Sequence, residues 1–486
     1  MKQLITRLKQ QKGKPVLIVG DVMLDEYFFG NVHRISPEAP VPILLEEEKE
    51  WSLGGAANVA ANCKHVGLDV DLIGVINSDD AEGKRFLSHL QANKIATNGI
   101  IHSIDRKTTC KRRFLSQKHQ MLRLDTESTH PLTARELLAI EARIAALLKP
   151  DSIILVSDYA KGVVTRELMH FIRDIAKERG CQLLVDPKGP DFEKYQGAGI
   201  IKPNLREYQQ MVSHFRLSPK ATLEENAREL CRILGLGGIV ITLGERGMIY
   251  VSPTTSITSP AYRREVYDLT GAGDTVFSFL ALGFAHNVSI EDCLVLANNA
   301  ASVAVSHVKT YAVSLEELIN RAYAPEEKIF HDWAKLKIEL DWLRAENKRV
   351  VFTNGCFDIM HPGHVHTLKE AKKLGDILVV ALNTDESVRR LKGPTRPVND
   401  LAFRSTMMAA LGMVDFVVSF NEETPAAVLE YLRPDVLVKG GDYKKEDVVG
   451  HDLLASYGGQ VHIIDFVPGH STTGIIKAAT YATKTL

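Results

Sequence analysis

Two short stretches of this chain hold residue types suited to chemistry on phosphates. Asp268-Leu269-Thr270-Gly271-Ala272-Gly273-Asp274 runs into the apolar segment 275–282, so two glycines and an aspartate stand where a helix begins. Backbone N–H groups at a helix start lack intrahelical partners, and the helix dipole adds partial positive charge. A phosphate can therefore settle on Gly271, Ala272 and Gly273. Asp274 is then placed to take the proton of a hydroxyl attacking that phosphate. A tight turn with an N-cap aspartate is the competing reading. The second stretch, Cys356-Phe357-Asp358-Ile359-Met360-His361-Pro362-Gly363-His364-Val365-His366, follows the apolar run 349–355. Pro362 and Gly363 shape a helix entrance where His361 and His364 can face the phosphoryl oxygens of a nucleoside triphosphate. Zinc binding through Cys356, His361, His364 and His366 competes with this, as does a structural histidine pair. A single thiol in so compact a turn lacks zinc-finger spacing.

The elements that must position these groups read as alternating strands and helices. Residues 15–19 are a continuous apolar run ending in Gly20-Asp21, the pattern of a strand buried on both faces of a parallel sheet. Ligands bind past the C-terminal ends of such strands, so Asp21 and Asp25 are candidate sugar ligands, with loop capping as the alternative. Residues 41–45 and the glutamates after them read as edge strands with a solvated face. Gly54-Gly55 opens a small-residue helix that carries Asn58 in its first turn, suited either to close ligand approach or to tight helix packing.

Buried strands are expected at 70–76, 153–157, 182–186 and 238–242, and helices at 135–147 and 166–179. This alternation predicts a mainly parallel, doubly wound sheet with helices on both faces. Asp158, Lys161, Asp186 and Lys188 gather at the strand ends. Asn204 and Glu207 share a helical face, suited to holding a hydrated magnesium ion through its waters or to capping the helix. The turn at Thr242-Leu243-Gly244 can admit a nucleotide or be an ordinary β-turn. In the basic run 107–125, Lys111, Arg113 and Arg123 are candidates for a substrate phosphate, or for a solvated strand face.

With 486 residues, 45% hydrophobic and 24% charged, the chain is expected to form several soluble globular domains. A net charge of -1, from 59 basic and 60 acidic residues, offers no global field for nucleic acid or membrane. No apolar run approaches the ~20 residues of a membrane span, and the charged N-terminus is unlike a secretory signal, so the cytoplasm is expected. Six cysteines without paired spacing argue against a disulfide framework. The charge-rich stretch 316–343 reads as a helical connector or an interface helix.

Gly54-Gly55 with Asn58, Asn204 with Glu207, and residues 268–274 occur in the order found in the ribokinase-like (PfkB) sugar kinases, which residues 12–318 resemble. The resemblance implies a doubly wound sheet with a small β lid, and ATP with magnesium. It also implies Asp274 as catalytic base, an anion hole at Gly271 to Gly273, sugar contacts at Asp21, Gly55 and Asn58, and adenine near Asn298 or Asn299. Asp25, Gly54 and Lys188 join the expected substrate contacts. A Walker A pattern is missing, since Gly83-Lys84 is followed by Arg85.

The His-x-Gly-His element resembles the cytidylyltransferase-type nucleotidyltransferases over residues 347–486. That implies a Rossmann-like domain with His361 and His364 in catalysis. Nucleotide contacts are implied at Thr353, Asn354, Phe357, Gly363, Asn383, Lys392, Arg396, Lys439, Ser471, Thr472 and Thr473, with Arg404 in support. His470 to Thr473 departs from the usual Ile-Ser-Ser-Ser form of its loop.

The domains expected are a kinase at 1–318, a helical connector at 319–346 and a nucleotidyltransferase at 347–486. This order resembles the bifunctional heptose kinase and heptose adenylyltransferase family of lipopolysaccharide core synthesis. The resemblance implies ATP-dependent phosphorylation of D-glycero-β-D-manno-heptose 7-phosphate at the anomeric hydroxyl, and adenylyl transfer to the heptose 1-phosphate. Expected partners are sugar phosphates, ATP and a second copy in a homodimer, with neither nucleic acid nor membrane. The alternatives are a kinase fused to a cytidylyltransferase for another polyol phosphate, and a nucleotide-sensing scaffold on two degenerate enzyme folds.

Overall fold

In a computed structural model the structure describes residues 2–117, 119–261, 269–307, 309–322, 328–345, 347–441 and 444–465. The chain divides into two compact units, Met1–Ile319 and Asn320–Leu486.

The first unit is built on a nine-stranded sheet with Val16–Gly20 near its centre, flanked by Ile153–Ser157 and Val70–Ile76. These three strands are parallel to one another, and the sheet continues parallel through Gln182–Asp186, Ile200–Ile201 and Gly238–Thr242. Two antiparallel strands, Met248–Val251 and Ser256–Ser259, close that edge. Alternate side chains of the central strand serve opposite cores. Val16 and Ile18 pack with the Ala56–His65, Ala272–Ala285 and Ile290–Ala304 helices, while Leu17 and Val19 pack with four helices on the other face. Burying each such side chain contributes about 1.5–3 kcal/mol before entropy is counted. The Ala272–Ala285 helix is apolar almost all round because it is buried almost all round.

A separate four-stranded sheet forms the lid. Val22–Ile35 and Pro42–Gly55 make a long antiparallel pair, extended by Cys110–Ser116 and His119–Thr126. The glutamate run lies, as expected, on an edge strand with a solvated face, and that strand is 14 residues long. Lys49 and Trp51 of this strand and Arg112 of Cys110–Ser116 tie down Glu26, whose buried carboxylate meets Lys49 at 2.8 Å, Arg112 at 2.7 Å and Trp51 Nε1 at 2.9 Å.

The second unit has six parallel strands with Val350–Gly355 between Ile377–Asn383 and Val436–Gly440. The strand order reverses at Val350–Gly355, so a ligand crevice opens at its C-terminal end. The stretch expected as a connector contributes Ile329–Phe330 and the Trp333–Ala345 helix, both packed within this unit. Trp333 Nε1 donates to the Ser419 carbonyl at 2.8 Å, Arg344 donates to the carbonyls of Leu432 and Arg433, and Leu336 and Leu340 are fully buried. Among the described residues no helix is long and apolar enough to cross a membrane.

Gly20 pairs with Ser157 across the centre of the first sheet, and a Cβ at Gly20 would stand 2.0 Å from the Ser157 carbonyl oxygen. Gly20→Ala is expected to destabilise the first unit by about 2–4 kcal/mol. Denaturant unfolding of the intact chain measures this; an unchanged midpoint for that unit would show that the strands separate without cost.

Candidate active sites

The first site lies at the C-terminal ends of the parallel strands, in a cleft of about 560 Å³. Gly271, with φ 79°, turns the chain into the Ala272–Ala285 helix, and Asp274 sits in that first turn, 4% exposed. Asn58 Nδ2 donates to Asp274 Oδ2 at 2.7 Å, and the Tyr159 hydroxyl donates to Oδ1 at 2.6 Å. Burial pushes the Asp274 carboxyl above its usual range, against the opposing pull of Tyr159, Asn58 and the Lys202 ammonium. Burial and the carboxylates of Asp274 and Asp186 keep the proton on Tyr159, which fixes it as the donor. Lys202 Nζ pairs with Asp186 at 2.9 Å. Asp186 is pushed up to about 7, chiefly by burial, with Lys202 opposing. Among the described residues a Cβ at Gly273 would have only Lys202 Nζ within 4 Å, at 3.8 Å, which leaves room for a phosphate at this helix start.

Glycines set the other approaches. A Cβ at Gly55, where φ is 56°, would stand 2.4 Å from the Asp21 carbonyl oxygen, and one at Gly54 2.5 Å from Asp25 Oδ2. Asn58 reaches Asp274 only because the lid strand passes this closely over the helix start.

Several expected ligands have other work here. Asp21 accepts from the backbone amides of Tyr159, Lys161 and Val163, at 2.8, 3.0 and 3.1 Å. Its carboxylate fastens the loop that presents Tyr159. Asn204 and Glu207 form a reciprocal capping box, and Glu207 also pairs with Lys188. All three line the cleft with Thr242, Gly244, Gly271 and Gly273. Asn298 spends its amide on Ser259 and Pro260, and Asn299 donates to the Val295 carbonyl. Neither lines the cleft, because both brace the Ile290–Ala304 helix. Arg123 is half exposed and held by Asp125, whereas Arg113 is paired with the buried Asp25 at 2.6 Å. Asp268 lies outside the described residues. Sequence reasoning did not single out Tyr159 or Lys202 as site residues; each follows a buried strand's end, the one signal that marks it.

The second site is built on the loop after Val350–Gly355. His361 is the N-cap of the Pro362–Lys372 helix, with Pro362 in its first turn. The His361 and His364 rings stack with centroids 3.8 Å apart, and the Phe357 ring lies 5.1 Å from His364. Burial, aided by His361 and Lys392, lowers His364 to about 4, so its ring is neutral at neutral pH. Lys439, at the end of Val436–Gly440, is lowered by burial.

Two fasteners hold the surrounding loops. Asp358 accepts from Arg396 Nε at 2.5 Å and from the amides of Val398 and Asn399 at 2.8 and 2.9 Å. Arg404, 1% exposed, donates to the carbonyls of Cys356 and Asn399 and to Asp385. Asn354 Oδ1, His364 Nδ1 and Arg396 Nη2 are buried and hydrogen-bond to nothing among the described residues, as expected of groups that await a ligand. Thr353 donates to the Val438 carbonyl and Asn383 to Ser387, so both are used in packing. Gly363 lies in the first turn of the histidine helix, and Lys392 ends Asp385–Lys392. Ser471, Thr472 and Thr473 lie outside the described residues.

Residues 14–318 match the family described as pfkB family carbohydrate kinase, and residues 352–478 match the cytidylyltransferase-like family. Over 478 residues the chain is 40% identical to the bifunctional protein HldE of Syntrophotalea carbinolica, covering 97% of this chain and 96% of that one. Its counterpart in Methylococcus capsulatus is 44% identical, covering 95% of this chain and 97% of that one. In fold, 63% of the chain is similar to 97% of phosphofructokinase-2 from Escherichia coli, with TM-score 0.54 and 18% identity. A ribokinase from Thermotoga maritima is similar over 63% of this chain and 99% of its own, with TM-score 0.51 and 17% identity.

A carboxylate accepts a proton only when ionised, so any proton transfer to Asp274 fails as pH falls through its pKa. Tyr159→Phe removes a donor that favours the carboxylate and raises that pKa further. The acidic limb of the pH–rate profile is expected to move to higher pH in Tyr159→Phe. A limb that stays in place would show that Tyr159 does not hold the charge on Asp274.

Proposed function

We propose that this chain, which belongs to the family of the bifunctional protein HldE, catalyses two ATP-dependent steps in ADP-heptose synthesis through the two sites described. In the first, D-glycero-β-D-manno-heptose 7-phosphate gains a phosphoryl group at its anomeric hydroxyl. Asp274 takes the hydroxyl proton as the oxygen attacks the γ-phosphorus of ATP and ADP leaves. The start of the Ala272–Ala285 helix and Lys202 face the transferring group, where fixed dipoles and charge favour its oxygens. Asn58 and Tyr159 hold the base ionised and aimed. That doubly held carboxylate at a glycine-lined helix start is the observation that carries the reading.

We assign magnesium to the first cleft, whose wall carries Asn204 and Glu207. These two would hold its hydration shell, and the ion would neutralise phosphate charge.

In the second step a 1-phosphate oxygen of the heptose attacks the α-phosphorus of ATP, forming ADP-heptose and releasing pyrophosphate. His361, His364, Lys392, Arg396 and Lys439 are assigned to the triphosphate, with Asn354 beside it. The first product still carries the 7-phosphate, so a separate phosphatase acts between the two steps.

Both substrates are small and polar, and we place the enzyme in the cytoplasm. The lid carries exposed apolar residues, Ile35, Val41, Leu45, Met121, Leu122 and Leu124, which we assign to contact with a second copy. Leu122→Asp is expected to shift a dimer toward monomer in light scattering; a monomeric wild type would reject the assignment.

Asp274→Asn is expected to lower ADP formation with heptose 7-phosphate by about 10²- to 10⁴-fold, while pyrophosphate release with heptose 1-phosphate continues. His361→Ala should do the reverse, with a loss of about 10²- to 10³-fold. Loss of both reactions in either variant would reject independent sites, and faster turnover with CTP than ATP would reject the adenylyl assignment.

A further inference from the structure

The inner face of the lid brings several cations to the sugar side of the first cleft. Cross-strand register places Lys111 opposite Asp25 on one side and Asp125 on the other, and Arg113 opposite Arg123. Residues two apart on a strand share a face, so these side chains point the same way. Three nearby cations have their own carboxylates: Arg113 has Asp25 at 2.6 Å, Arg123 has Asp125 at 2.9 Å, and Lys161 has Glu127 at 2.6 Å. Lys111 is different. Among the described residues no carboxylate lies within ion-pair distance of it, and its ammonium stands 5.1 Å from the centroid of the Tyr159 ring. Burial lowers its pKa; Asp25, already paired with Arg113, opposes this, while Arg113, Lys161 and Arg123 add to it.

Tyr159 also links base and ammonium. Its hydroxyl donates to Asp274 at 2.6 Å, while its ring supports the Lys111 ammonium. Base and ammonium are thus both set against one tyrosine side chain, the base at its hydroxyl and the ammonium at its ring. A sugar that gives its reacting hydroxyl to Asp274 at one end would present its other end to Lys111.

We propose that Lys111 is the specificity-determining residue that binds the phosphate already carried by the sugar, and that Arg113 and Arg123 are not. The inference rests on the reading of the first site as a sugar-phosphate kinase. Removing Arg113 from its pair would strand the buried Asp25, so Arg113 holds the lid together. Arg123 is committed to Asp125 at the solvent edge. A phosphomonoester, with charge of about -1.5 to -2 at neutral pH, supplies what Lys111 lacks.

The test compares kcat/KM for D-glycero-D-manno-heptose 7-phosphate with that for the unphosphorylated heptose, in wild type, Lys111→Ala, Lys111→Arg and Arg123→Ala. Lys111→Ala is expected to lower the wild-type preference for the phosphorylated sugar by about 10- to 100-fold, mainly through KM. Lys111→Arg should restore much of it, which rescue of a merely misfolded lid would not explain. Arg123→Ala should keep the preference within about threefold of wild type. An unchanged preference in Lys111→Ala, or an equal loss on both sugars, would overturn the inference and leave the kinase reading standing. A wild type that gains nothing from the sugar's phosphate would overturn both.

Discussion

The first unit is arranged around one buried carboxylate. Asp274 is 4% exposed, and burial raises its pKa, which favours the neutral acid. Two hydrogen bonds and a nearby ammonium oppose that, and much of the surrounding fold exists to deliver them. Asn58 comes from a helix that starts under the lid, and it can do so because Gly54 and Gly55 have no side chains. Tyr159 comes from a loop that Asp21 ties down through three backbone amides. Lys202 follows the short Ile200–Ile201 strand and is kept in place by Asp186. Donors and base thus arrive from four separate segments, and only the parallel sheet brings the ends of those segments together.

The second unit solves the same positioning problem with a different arrangement. Its site residues sit at the ends of strands and helices, and the loops that join those ends lose entropy on ordering. Asp358 and Arg404 compensate by joining the histidine loop to the loop around Arg396 and to the Leu401–Ala410 helix. Both charged groups are buried, which is tolerable because nearly every polar atom has a partner; the buried Arg396 Nη2 is left for a ligand.

Much of this was legible in the sequence where the signal was local. Continuous apolar runs located Ile153–Ser157, Gln182–Asp186 and Gly238–Thr242, and glycine-bearing helix entrances marked Asp274 and His361. The lid was legible only in outline, because its strands carry charges on both faces: Glu26 and Arg112 outward, Asp25 and Arg113 inward. Hydropathy cannot find a strand whose buried residues are ion-paired. Tyr159 was invisible as a site residue because its partner lies 115 positions away. The asparagine pair in an apolar helix suited a ligand, and in the fold Asn298 donates to Ser259.

The two sites make opposite electrostatic choices, and their reactions explain why. A sugar hydroxyl is a neutral, weakly acidic nucleophile, so the first step needs a proton acceptor beside it. That requirement brings carboxylates into a cleft that must also receive ATP, and Lys202 and the helix dipole offset their repulsion. A sugar 1-phosphate is already anionic at neutral pH, because the second ionisation of a phosphomonoester lies near 6. Its attack needs no base, only neutralisation of the charge gathered where two phosphates meet. In the second site the buried carboxylate of Asp358 is spent on Arg396 and the loop that follows it. His364, held neutral by burial, can donate from one ring nitrogen without adding a charge that would bind pyrophosphate too tightly to release. Carboxylate in one unit and imidazole in the other thus follow from the charge of the nucleophile each must handle.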